Sequence, residues 1–177
     1  MKLNFIYRKA DDIKSWKRYN NFIEKHGNVW GIKKEIKPII KIKKAIFEIN
    51  VIEIVNKYKK IFGFEIKNIK GRLVTTPFSM INDEKGQSVD TIYYSIYTPY
   101  PSIVLAHELF HIYFYHFGGY KIKNYEEAKE YFTVILNDIF NKEISKGYPK
   151  HQKIREKVFK VWQKTHSIDE CIKAVEG

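Results

Sequence analysis

The stretch "LAHELFHIYF", residues 105–114, decides how the rest of the chain is read. Two histidines stand four residues apart, a glutamate follows the first directly, and most of the neighbours are apolar. On a helix, His107 and His111 leave one face a single turn apart, with about 5–6 Å between their Cβ atoms. Two neutral imidazole nitrogens at that spacing can share one zinc ion. Glu108 is rotated by about 100° from His107. That rotation keeps it from being a third ligand and leaves it beside the open side of the metal. There a carboxylate can act as base toward a water whose pKa such an ion lowers to about 7.

The competing explanation is chance. With six His and fourteen Glu in 177 residues, an HExxH pattern arises at random in about 1–2% of such chains. The motif also follows a strand-like segment and lies within a helix-forming run, which favours the metal reading. His116 lies five residues beyond His111, about 140° further around the helix, and cannot meet the same ion.

A third ligand is needed, and the next helical segment offers Glu126, Glu127 and Glu130. Its apolar face is Ala128, Phe132, Ile135 and Ile139, whereas Glu126, Glu130, Thr133 and Asn137 form the opposite stripe. A loop of about seven residues joins this segment to the histidine helix, so the two can pack antiparallel. Further apolar residues on its flanks predict burial on more than one side, and a carboxylate stripe in a buried helix requires a cation. Glu127 reads more simply as the partner of Asn124 in a helix cap. Glu126 and Glu130 both remain candidates.

At these residues the chain resembles the gluzincin metallopeptidases. "HELFH" matches their HExxH, and "EEAKEYF" (126–132) looks like their glutamate helix, which in thermolysin-like members reads Glu-x-x-x-Asp-x-Phe. Glu126, Glu130 and Phe132 fit that pattern, with Glu where Asp is usual, and this alignment favours Glu126 as ligand. The aminopeptidase-like branch places its ligand after eighteen intervening residues, which selects Glu130. The segment also resembles the small ImmA/IrrE-type peptidases and the minimal gluzincins, although Phe110 stands where the former usually have Gly. The metzincin pattern is not followed, since Phe114 and Phe117 occupy its Gly and His positions. The gluzincin resemblance covers about residues 64–140. It implies a zincin-like fold and zinc-dependent hydrolysis of peptide bonds, with Glu108 as general base. It also implies that the strand at 91–97 is an edge that pairs with extended substrate. Tyr120, Tyr125, Tyr148 and His151 are the downstream candidates for an oxyanion-stabilising donor.

Composition bounds these readings. The chain is long enough for one domain with a real core, spanning residues 1–177. No apolar run reaches the eighteen or so residues of a membrane span. The start, "MKLNFIYRKADD", is too short in apolar residues for a signal-peptide core. One cysteine, Cys171, excludes an internal disulfide and fits a cytoplasmic setting. It also leaves any metal to His and carboxylate ligands. The formal net charge of +12 suits nucleic acid or another acidic partner. Abundant Lys, Ile, Asn, Tyr and Phe with scarce Ala equally fit a compositional bias, and the basic residues, from Lys2 to Lys173, show no single stripe. A non-catalytic basic binding protein on the same scaffold is therefore the alternative to an enzyme.

Periodicity predicts a helix from Asp11 to His26 and, after a loop at 27–31, another from Pro38 to Phe62. Residues 64–69 and 71–81 read as short strands, the latter bent or at an edge because of Pro77, and 82–86 as a turn. A strand at 91–97 precedes a helix over 103–117, with Ser102 as its cap and the following glycines as its stop. One helix over 125–140, a basic helix near 151–164 and a last helix capped by Ser167 and Glu170 complete the chain. Helices, then strands, then helices indicate an α+β fold: N-terminal helices, a small mixed sheet with an edge strand, the active-site and glutamate helices, and C-terminal helices.

The shared helical face makes a direct prediction. Purified protein should carry about one zinc per chain, lost in His107→Ala and in His111→Ala and retained in His116→Ala; elemental analysis of the three variants checks it.

Overall fold

The computed structural model of the chain describes residues 3–26, 49–83 and 88–177. The fold is α+β, with a mixed four-stranded sheet. The chain divides into two compact units, Met1–Val51 with Lys67–Glu108, and Ile52–Ile66 with Leu109–Gly177. Among the described residues no helix is long and apolar enough to cross a membrane.

The first unit holds the sheet. Strands β1 (Phe5–Tyr7), β2 (Lys70–Val74), β3 (Met80–Ile81) and β4 (Thr91–Ser95) lie in the order β1-β2-β4-β3. β1 and β4 both run parallel to β2, and β3 runs antiparallel to β4, with Met80 opposite Tyr93 and Ile81 opposite Ile92. β4 is therefore interior, and every residue of it is buried. This corrects the expectation of an edge at 91–97. Its apolar and aromatic content suits a strand covered on both faces, and β3 takes the antiparallel edge.

Pro77 accounts for the split between β2 and β3, because proline cannot donate a ladder hydrogen bond. Residues 64–69, expected as a strand, contain no regular strand apart from the start of β2 beyond them. β1 was not anticipated at all. It packs closely, since a Cβ on Gly71 would lie 2.5 Å from the Phe5 ring.

Helix α1 (Lys9–His26) is tied to the sheet by buried polar contacts. The Asp12 carboxylate accepts from the Thr75 amide at 2.6 Å and from its hydroxyl, and Trp16 Nε1 donates to the same hydroxyl. Ser15 and Thr76 pair at 3.0 Å. Arg18 donates to the Ile81 carbonyl and to Asp83, which anchors the short β3 from the side.

The second unit is helical. It includes α2 (Val51–Phe62, all but its first residue) and the C-terminal half of α3 (Pro101–His116). There follow α4 (Tyr125–Phe132), α5 (Ile135–Ile139), α6 (Gln152–Thr165) and α7 (Ile168–Glu176). α2 occupies the described end of the helix expected from Pro38; the part before residue 49, like the loop at 27–31, lies outside the described residues, as does most of the turn at 82–86.

Aromatic rings make the core of this unit. Tyr58 and Phe62 of α2 meet Phe110 and Tyr113 of α3 at centroid distances of 5.3–6.1 Å, and Phe114 meets Phe132 of α4 at 4.7 Å. Cys171 is buried here, and burial pushes its thiol up to about 11, consistent with a packing role.

The helix ends follow the sequence in part. Pro101 starts α3, one residue before the expected Ser102, and proline is favoured in a first turn. Gly118, at φ 109°, follows its end as expected. Asn124 caps α4 from a left-handed conformation, but its side chain makes no cap bond. Glu127 reaches outward to Lys150 instead, so the predicted capping box is absent. Ser167 does accept from the Glu170 amide, at 3.3 Å.

α6 departs from the even spread of basic charge. Lys153, Lys157, Lys160 and Lys164, at spacings of four, three and four, are all exposed on its outer face.

Phe110 packs where the resemblance would place glycine, and it is fully buried. Phe110→Ala should therefore destabilise the protein by about 3–5 kcal/mol, read as a lower urea midpoint with an unchanged slope.

Candidate metal site

The site is built on the period of α3. His107 and His111 lie one turn apart on it, while Leu109, Phe110, Ile112, Tyr113 and Phe114 are completely buried. The positions between and beside the histidines are thus core residues, and their packing fixes the helix rotation that aims both imidazoles the same way.

Glu130 of α4 meets this face. Its Oε1 lies 3.3 Å from His111 Nε2, with His111 buried and the glutamate side chain 21% exposed. One ligand atom from each of His107, His111 and Glu130 lies within 4.8 Å of the others. Among the described residues this is the group of three such side chains that could hold a metal ion.

The donor set and spacing fit zinc. Two atoms each about 2.0–2.1 Å from a tetrahedral zinc lie about 3.3–3.4 Å apart, which agrees with the His111–Glu130 separation.

The structure brings Glu130, not the favoured Glu126, to the histidines. Glu126 stands one turn earlier, in the first turn of α4. Its side chain is 68% exposed and pairs with Lys129 at 2.7 Å. His116 is exposed at the end of α3 and outside the group, as expected.

Glu108 is buried. Its carboxylate lies close enough to Tyr94 of β4 to affect the phenol. Burial pushes that hydroxyl well up, a hydrogen bond with Thr98 acts against the rise, and the Glu108 charge adds to it. The Tyr94 hydroxyl also donates to the Pro101 carbonyl at 2.8 Å, tying β4 to the first turn of α3.

The four downstream donors are dispersed. Tyr120 is half exposed and lies against Tyr115, which also contacts Tyr125. Tyr148 and Tyr131 present ring edges to His151. His151 is buried with its Nε2 3.8 Å from Glu127, and burial, followed by the charge of Lys150, holds its pKa below the usual histidine value.

Sequence reasoning did not single out Arg155. It is buried on α6 and donates to the carbonyl of Glu130. The available signal was its type: Arg8, Arg18, Arg72 and Arg155 are the only arginines in a lysine-rich chain, and arginine is the cation better suited to fixed buried contacts.

No protein-family model, curated protein or solved structure matches the chain.

The two glutamates can be separated by experiment. Glu130→Ala should lower zinc affinity by at least 100-fold, because it removes a charged ligand oxygen. Glu126→Ala should change it by less than about threefold, as expected for an exposed surface pair; competition with a chromophoric chelator measures both.

Proposed function

We propose that the chain is a zinc-dependent endopeptidase of gluzincin type, with His107, His111 and Glu130 as metal ligands and Glu108 as general base. The observation that carries this reading is the convergence of the three donor side chains, with the buried Glu108 immediately after the first histidine.

When bound, zinc supplies Lewis-acid chemistry that acidifies water and polarises a carbonyl. The protein's own residues do the rest. Glu108 is held, buried, on the packed helix α3. It accepts a proton from the attacking water and delivers it to the leaving amine.

A second reading has its own observation. The exposed lysine stripe of α6 is suited to an anionic polymer such as nucleic acid, whose phosphates bind through counterion release. This is the binding-protein alternative.

One variant separates them. Glu108→Gln should keep the fold and zinc content and lower hydrolysis of a quenched fluorescent peptide at least 100-fold, within the range for loss of a general base. Hydrolysis within a few fold of wild type would reject the mechanism. Absence of hydrolysis in the wild type, with nucleic-acid affinity that falls steeply with salt and is unchanged in the variant, would favour the binding protein.

A further inference from the structure

The helix expected over 125–140 is interrupted at Thr133–Val134, one turn beyond Glu130. The Val134 amide turns to the Tyr131 carbonyl. The Glu130 carbonyl instead accepts from the Thr133 hydroxyl at 2.6 Å and from Arg155 Nη1 at 2.9 Å. Arg155 is 2% exposed, and its other two acceptors are Thr133 Oγ1 at 3.0 Å and the Ser145 carbonyl at 2.6 Å. All three acceptors are uncharged, and among the described residues no carboxylate forms an ion pair with the guanidinium.

The surrounding chain is shaped to this group. Asn137 Oδ1 accepts from the amides of Ile144 and Ser145, and its amide nitrogen donates to the Ser145 carbonyl. Thr133 and Ser145 share a hydrogen bond between hydroxyls. Gly147 has φ 67°, and a Cβ there would lie 2.5 Å from the guanidinium carbon. A side chain at 147 would strain the backbone and press on Arg155 together.

We propose that Arg155 is a positioning residue for the metal ligand Glu130. It fixes the carbonyl of that same residue, and so sets the last turn of α4 at the level where the carboxylate meets His111. A planar guanidinium can bridge the helix end and the 144–147 segment at once, whereas a lysine ammonium has no comparable fork. The inference rests on the metal-site reading and adds the device that orients its third ligand.

The test is a double-mutant cycle on zinc affinity, using Zn2+ and a competing chelator, with urea unfolding of the metal-free proteins in parallel. The proteins are wild type, Arg155→Met, Glu130→Ala and the double variant. Arg155→Met should weaken zinc by about 10- to 100-fold, as for other residues that orient a ligand. In the Glu130→Ala background the same change should cost no more than about twofold, because the ligand it positions is gone. An equal loss in both backgrounds would overturn the proposal and leave Arg155 as a helix-end contact that supports stability alone. Should Arg155→Met fail to fold, Thr133→Val takes its place. It removes the hydroxyl between Arg155 and the Glu130 carbonyl, and the same coupling is expected and the same additivity decisive. Wild type that binds no zinc, or Glu130→Ala that binds as wild type, would instead remove the metal-site reading beneath the proposal.

Discussion

The period of α3 is the constraint on which the site depends. A residue three or four places along a helix returns to nearly the same face, while one two places along points elsewhere. In residues 105–114 Leu109 and Phe110 are fully buried, Phe110 against Tyr58 and Phe62, while His107 and His111 stand one turn apart. The two demands reinforce each other. Rings that lock against Tyr58 and Phe62 prevent α3 from rolling, and a helix that cannot roll holds two imidazoles in register. Local sequence, packing and proposed chemistry thus rest on one short segment.

Around that helix, the chain uses its two kinds of cation differently. Lysines coat exposed faces, α6 most regularly, where a solvated ammonium costs little to maintain. Arginines make joints. Arg18 fastens α1 to the edge strand through Ile81 and Asp83, Arg72 of β2 pairs with Asp11 at the start of α1, and Arg155 closes the gap at the end of α4. Each joins segments distant in sequence, a task suited to a planar guanidinium. In a chain this rich in lysine, the choice of arginine is itself a structural signal.

That distinction also marks what the sequence disclosed. The α+β order, the histidine helix, its glycine stop and the Ser167 cap were legible because they depend on local periodicity and turn chemistry. The interior place of β4 was not, since alternation of the kind seen in "TIYYSIY" cannot tell an edge from a covered strand; only the pairing partners decide that. β1 escaped notice because three residues carry too little pattern. The break at Thr133 was hidden for a related reason: helical periodicity continues through 125–140, and the interruption is stabilised by a hydroxyl and by a guanidinium more than twenty residues away. The choice between Glu126 and Glu130 required the path of the 118–124 segment, which no spacing rule supplies.

The electrostatics of α4 give an independent reason to look to Glu130. Acids in the first turn of a helix lie at the favourable, positive end of its dipole, each gaining about 0.3–1 kcal/mol, whereas an acid near the last turn meets the negative end. Glu126 and Glu127 occupy the favourable position and pair with Lys129 and Lys150 in water. Their presence needs no further cause. Glu130 lies close to the C-terminal end of an eight-residue helix, mostly buried, and faces an imidazole. Helix electrostatics disfavour a carboxylate there, so its cost must be offset by positive charge. Arg155 brings one fixed cation to the carbonyl side of the residue. On the carboxylate side stand two histidines in ligand spacing, and a cation held among the three side chains would offset that charge.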